Sequence, residues 1–206
     1  MSTHAVSIAT PRAARLLGPA FTIGGLLWIA DFVQIVVYGL ISGTLVDAPD
    51  HVLPPALRIG LRLFVLSVVI LGLGLAGLFL RVQRRSKKLT IAALPFTIIA
   101  LALGTANLVL LSGVLGAPSF NDTFMGLSVF STSIATLLMG IGALRSGVLP
   151  RWASLALVFV GVTTIPILFG TPLPFGPDWA TDHLAFLTSG IAFAAVGVSE
   201  WRGKRS

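Results

Sequence analysis

Six apolar stretches dominate the chain, each close to the twenty or so residues that a helix needs to cross a bilayer. They run approximately from Pro19 to Leu45, Leu61 to Leu80, Ile91 to Leu115, Thr123 to Leu144, Ala153 to Thr171 and His183 to Ser199. Hydrocarbon offers a backbone amide no hydrogen-bond partner, so each stretch has to close its own bonds as a helix. The expected fold is all-α: one transmembrane domain over residues 1–206, built as a polytopic bundle of six membrane-spanning helices. Composition agrees. Only 10% of the residues are charged and 55% are apolar, whereas a soluble domain carries about a quarter charged residues. The chain has no cysteine, which excludes disulfides, thiolate metal sites and iron–sulfur clusters. No motif calls for a cofactor.

A net charge of +7 would suit nucleic acid, but the placement of the charges argues for orientation instead. Arg12 and Arg15 precede the first span. The connection RVQRRSKK carries Arg81, Arg84, Arg85, Lys87 and Lys88, and Arg145 and Arg151 flank a later turn. Arg202, Lys204 and Arg205 follow the last span. If six helices alternate, all of these share one side, and the other side receives only Arg58 and Arg62. The positive-inside rule then puts both termini in the cytoplasm of a prokaryotic-type plasma (inner) membrane. The expected partner is the lipid bilayer, with a homo-oligomer or a larger membrane complex as the further assembly, and nucleic acid is set aside. The first apolar run exceeds the 7–15 residues of a signal-peptide core, so it is retained as a helix. Trp152, Trp179 and Trp201 fall near span ends, where indole rings favour the headgroup level.

One acid interrupts this pattern. Asp31 stands equally far in sequence from Arg15 and Asp47, about 24 Å along a helix from each and hence near the midplane. An aspartate there costs about 2.5–3.5 kcal/mol on insertion scales, so it should face the bundle interior and find a partner. Gln34 at i+3 and Tyr38 at i+7 extend its polar face. Other spans offer Asn107, Thr132, Ser133, Thr136, Thr163 and Thr164 at similar depth, and none of these is basic. The nearest cation, Arg62, is too distant to reach the carboxyl without water. Two readings follow. In one, a protonated Asp31 hydrogen-bonds Asn107 or a threonine and glues helices together. In the other, Asp31 is the proton or cation site of a small transporter, with Gln34, Tyr38, Asn107, Thr136 and Thr163 as its polar lining. The leading expectation is a non-enzymatic membrane protein of accessory or structural role.

Small residues are spaced for close helix packing: Ser128, Thr132, Thr136 and Gly140 in the fourth span, Gly72 and Ala76 in the second, Gly190 and Ala194 in the sixth. Pro166 is expected to kink the fifth span. The segments DAPDH (Asp47 to His51) and DWATDH (Asp178 to His183) bring histidines and carboxylates to one side. Asp50 and Asp182 read as helix caps rather than metal ligands, because each closely precedes an apolar span.

Two resemblances extend this reading. The motifs MGLSVF, with Ser128, and DHLAFLTSG, with His183, lie at corresponding ends of the fourth and sixth spans. That layout resembles the rhomboid intramembrane serine proteases, which have six helices with both termini inside. The resemblance implies Ser128 as a nucleophile activated by His183, since a serine hydroxyl needs a base within hydrogen-bond reach. The chain departs from the family in Val129 after the serine and Phe186 three residues after the histidine. It also lacks a His-x-x-x-Asn on the second helix and a long Trp-Arg loop after the first. The turn SGVLPRWAS (Ser146 to Ser154), with the opening RAARLLGPAFTIGGLLW, resembles bacterial six-helix multi-pass proteins that share a Gly-x-Leu-Pro-Arg-Trp turn. This second resemblance implies a membrane location and no activity. The topology is directly testable in this cysteine-free chain. A Lys87→Cys variant should resist a membrane-impermeant maleimide on intact cells, and Ser119→Cys should be labelled; the reverse pattern would overturn the expected orientation.

Overall fold

The computed structural model describes residues 16–42, 55–114, 121–167 and 178–202, with backbone alone at 42, 55–58, 166–167, 178–183 and 202. They form six helices: α1 (Leu17–Ser42), α2 (Pro55–Val82), α3 (Lys87–Ser112), α4 (Asp122–Ser146), α5 (Arg151–Ile167) and α6 (Asp178–Arg202). Each expected span is a helix, and five of the six are long and apolar enough to cross a membrane. The remaining one, α5, has 17 residues, about 26 Å of helix, and ends one residue after Pro166. Boundaries differ from expectation where polar residues extend an apolar helix. Thus α6 begins at Asp178, so Asp182 lies within the helix instead of capping it. The side chains of Asp182 and His183, and all of Asp47 to His51, are outside the described residues. The observed cap of α4 is Asn121, whose Oδ1 accepts the Phe124 N–H at 2.9 Å.

Chain neighbours are neighbours in space. Helix α1 packs between α2 and α6, and the order continues α2–α3, α3–α4, α4–α5 and α5–α6 around a closed ring. A further contact joins α2 to α4 across the ring. The end where α1 starts and α6 finishes is the terminus end; the opposite one is the far end.

The distribution of side chains is that of a protein in an apolar solvent. Large aliphatic and aromatic groups stand exposed: Ile23, Leu26 and Val33 on α1, Ile91 and Ile98 on α3, Phe159 and Val162 on α5. Ser67, Thr97, Asn107, Ser128, Thr136 and Ser189 are buried instead. Outside lipid, such an arrangement would leave large apolar patches in water. Within a bilayer it keeps these hydroxyls and amides inside, where they find hydrogen-bond partners. Buried hydroxyls accordingly donate to backbone carbonyls: Thr97 to Ala93 at 3.0 Å, Thr132 to Ser128 at 2.9 Å.

Lipid supplies no hydrophobic drive for helices to associate, so close backbone approach has to do it. At Gly25 of α1 an added Cβ would come 2.5 Å from the Gly190 carbonyl oxygen and 2.6 Å from the Ala194 nitrogen on α6. The expected small-residue ridge at Gly190 and Ala194 is therefore the seat of α1. Packed beside this contact, Phe21 and Trp28 of α1 meet Phe193 of α6 with ring centroids 5.4 and 5.6 Å apart.

The terminus end is tied by charge. Arg81, at the end of α2, pairs with the nearly buried Glu200 of α6, and its Nη2 donates to the Val148 carbonyl at 3.4 Å. Arg85 Nη1 donates to the Ser146 carbonyl at 3.1 Å. Both carbonyls belong to the α4–α5 turn, which Gly147 opens with a left-handed φ of 63°. The Leu-Pro-Arg-Trp motif thus follows a turn whose carbonyls are held by two arginines of another turn. Because the α1–α6 contact is backbone against backbone, neither side can yield to a larger residue. Gly25→Leu should lower stability by about 3 kcal/mol or more, read as an earlier melting transition in mild detergent. The neighbouring Leu26→Ala, on the exposed face, should shift the transition little.

Candidate functional site

The site builds up from α1. Successive residues turn by about 100°, so Gly24, Trp28 and Asp31 recur on one face, and that face meets α2. Leu71 fits the notch at Gly24, Phe64 stacks on Trp28 with centroids 5.9 Å apart, and Gly60 lies against Asp31. A Cβ added at Gly60 would come 3.0 Å from Asp31 Oδ1 and 3.0 Å from Gln34 Oε1. The carboxyl and the amide oxygen therefore rest on bare backbone that only glycine provides. Gly60 lies five residues into α2, about 8 Å from its start. Asp31 is accordingly displaced from the centre of the bundle toward the far end, where sequence spacing along α1 alone suggested the midplane.

Toward the terminus end the cleft is closed by aromatic rings. Trp28 is 1% exposed and is flanked by Phe64, Phe186 and Phe193. Its indole Nε1 is buried without a hydrogen-bond partner among the described residues. The Asp31 carboxyl likewise takes no hydrogen bond or ion pair among them. Arg62, the nearest cation expected from sequence, is exposed. No cluster of metal-ligating side chains occurs among the described residues.

The other candidate residues lie elsewhere, because α1 does not pack on α3, α4 or α5. Asn107 is fully buried, and its amide is occupied at both ends by Asn121. Nδ2 donates to the Asn121 carbonyl and Oδ1 accepts the Asn121 N–H, each at 3.0 Å. It fastens the start of α4 to α3 rather than partnering Asp31. Thr136 donates to the Thr132 carbonyl at 2.7 Å and Thr163 to the Phe159 carbonyl at 2.9 Å. Ser128 is buried against α3 and donates to the Ala100 carbonyl at 2.8 Å. Of the polar set, only Gln34 shares the Gly60 contact with Asp31. Tyr38 continues the same helix, half-buried.

Sequence reasoning missed Gly60, Trp28 as the floor of the cleft, and the Thr164–Ser189 hydroxyl pair, 3.4 Å apart, that links α5 to α6. No local signal marks them, since each depends on which helices become neighbours. Compared with known proteins, the chain matches no protein family, no curated protein and no solved structure. The fold is that of a multi-pass helical bundle suited to a membrane, and the site is a carboxyl in an interhelical cleft. Asn107→Leu would leave the Asn121 N–H without its partner and remove one of the two donors to the Asn121 carbonyl, which keeps the Met125 N–H. It should cost about 2–3 kcal/mol, seen as an earlier thermal transition, whereas Ser133→Ala, whose hydroxyl bonds only its own helix, should cost less than about 1 kcal/mol.

Proposed function

We propose that the protein is a small transporter in which Asp31 is the proton- or cation-binding group. One observation carries this reading: Asp31 and Gln34 turn their oxygens together into the α1–α2 cleft at Gly60, and Asp31 has no partner among the described residues. The glue reading needed Asn107 or a threonine of α3, α4 or α5 as that partner, and those groups are bonded elsewhere. An acid within a membrane span is costly and marks an ion or proton path by default. Its position near the far end shortens the route to water, and the rings around Trp28 seal the other side, an arrangement suited to access from one face at a time.

The hydrolase reading draws no support from Ser128, whose hydroxyl bonds an α3 carbonyl; the His183 side chain is outside the described residues. The test is flux in reconstituted vesicles. With an imposed proton gradient, addition of sodium or potassium should dissipate the gradient in wild type, and Asp31→Asn should lower that rate at least about tenfold while the protein stays folded. Equal rates in the two proteins would overturn the proposal. They would leave a non-enzymatic accessory or structural role, with Asp31 a tolerated polar residue.

A further inference from the structure

The terminus end carries a second feature, unrelated to Asp31. The hydrogen bond from Arg85 to the Ser146 carbonyl brings the α2–α3 turn beside the α4–α5 turn. Gly142 confirms the closeness, since a Cβ added there would lie 3.0 Å from Val82 and 3.8 Å from the Ser86 hydroxyl. Six basic side chains are exposed along these two turns: Arg84, Arg85, Lys87, Lys88, Arg145 and Arg151. Of the acidic side chains described, only Glu200 is at this end, and it is nearly buried in its pair with Arg81. The six charges therefore share one surface with no exposed acidic side chain among the described residues to balance them.

Helix stability does not account for their placement. Helix α3 opens with Lys87 and Lys88 and α5 with Arg151, and neither has an acid in its first turn. A helix dipole disfavours cations at that position. Exposed apolar groups sit directly beside the patch, Ile91 on α3 and the half-exposed Trp152 on α5, so its level is that of lipid headgroups rather than open solvent.

We infer that the paired α2–α3 and α4–α5 turns form a binding surface for the phosphate of an anionic phospholipid. Arg84, Arg85, Lys87 and Lys88 approach it from one turn and Arg145 and Arg151 from the other, with acyl chains against the adjoining apolar faces. Basic groups at the ends of neighbouring membrane helices recognise acidic headgroups in this way. Both turns contribute, so removing charge from either one weakens the site.

The experiment uses the full chain reconstituted in phosphatidylcholine vesicles containing spin-labelled phosphatidylglycerol or spin-labelled phosphatidylcholine. The fraction of label immobilised by the protein gives the selectivity. Wild type should prefer phosphatidylglycerol, saturably and less so at high salt. Lys87→Gln with Lys88→Gln, and separately Arg145→Gln with Arg151→Gln, should each reduce the preference at least about fivefold. Arg62→Gln, which removes an exposed cation distant from these turns, should leave it unchanged. No preference in wild type overturns the inference, as does equal loss in the Arg62→Gln control, which would reduce the effect to general charge. Recovery of an acidic soluble protein on this surface, with phosphatidylglycerol indifferent, would overturn it in favour of a protein partner.

Discussion

The rotation of α1 about its own axis decides what this protein can do, and the glycine contact with α6 sets that rotation. With Gly25 pressed on Gly190 and Ala194, α1 has no freedom to turn, because the touching groups are backbone. The face a third of a turn away, through Gly24, Trp28 and Asp31, is thereby aimed at α2. Had the ridge been built of larger residues, α1 would stand farther out and Asp31 would point to lipid. A packing feature usually read as glue thus positions the one acid in the helix.

Lipid as solvent explains the rest of the polar inventory. In water a buried hydroxyl is a burden that a hydrophobic core avoids. In hydrocarbon the exposed face has no use for polarity, so serines and threonines collect inside and return their protons to carbonyls of their own helices. These local bonds satisfy Thr132, Thr136 and Thr163 within their own helices. Asn107 is different in kind. Its amide matches both backbone groups of one residue, Asn121, and it becomes a staple between α3 and the start of α4.

What the sequence disclosed follows the same physics. The six helices were readable because hydrocarbon thickness imposes a length on apolar runs, and the ridges at Gly190 and at Ser128 were readable because helical spacing is local. The position of Asp31 on a polar face with Gln34 was readable for the same reason. Its company was not. Equal depth in the membrane makes two residues candidates for contact, but the ring order keeps α1 from α3, α4 and α5, and no periodicity within a span reports its neighbours. Helix α6 starts earlier than its apolar run because Asp178 and Asp182 suit the first turns of a helix, where backbone N–H groups are free and carboxylates are favoured.

The two ends of the bundle are held differently. At the terminus end, α2, α6 and the α4–α5 turn are joined through Arg81, Glu200, Val148, Arg85 and Ser146, and these bonds are charge-assisted and partly shielded. Toward the far end the described side-chain ties include Asn107 to Asn121 and Ser128 to Ala100, between α3 and α4, and Thr164 to Ser189, between α5 and α6. Around Asp31, α1 and α2 meet there through Gly60, on whose backbone the Asp31 and Gln34 oxygens rest. On the transporter reading proposed above, opening at this glycine contact is the motion that would bring an ion or proton to Asp31.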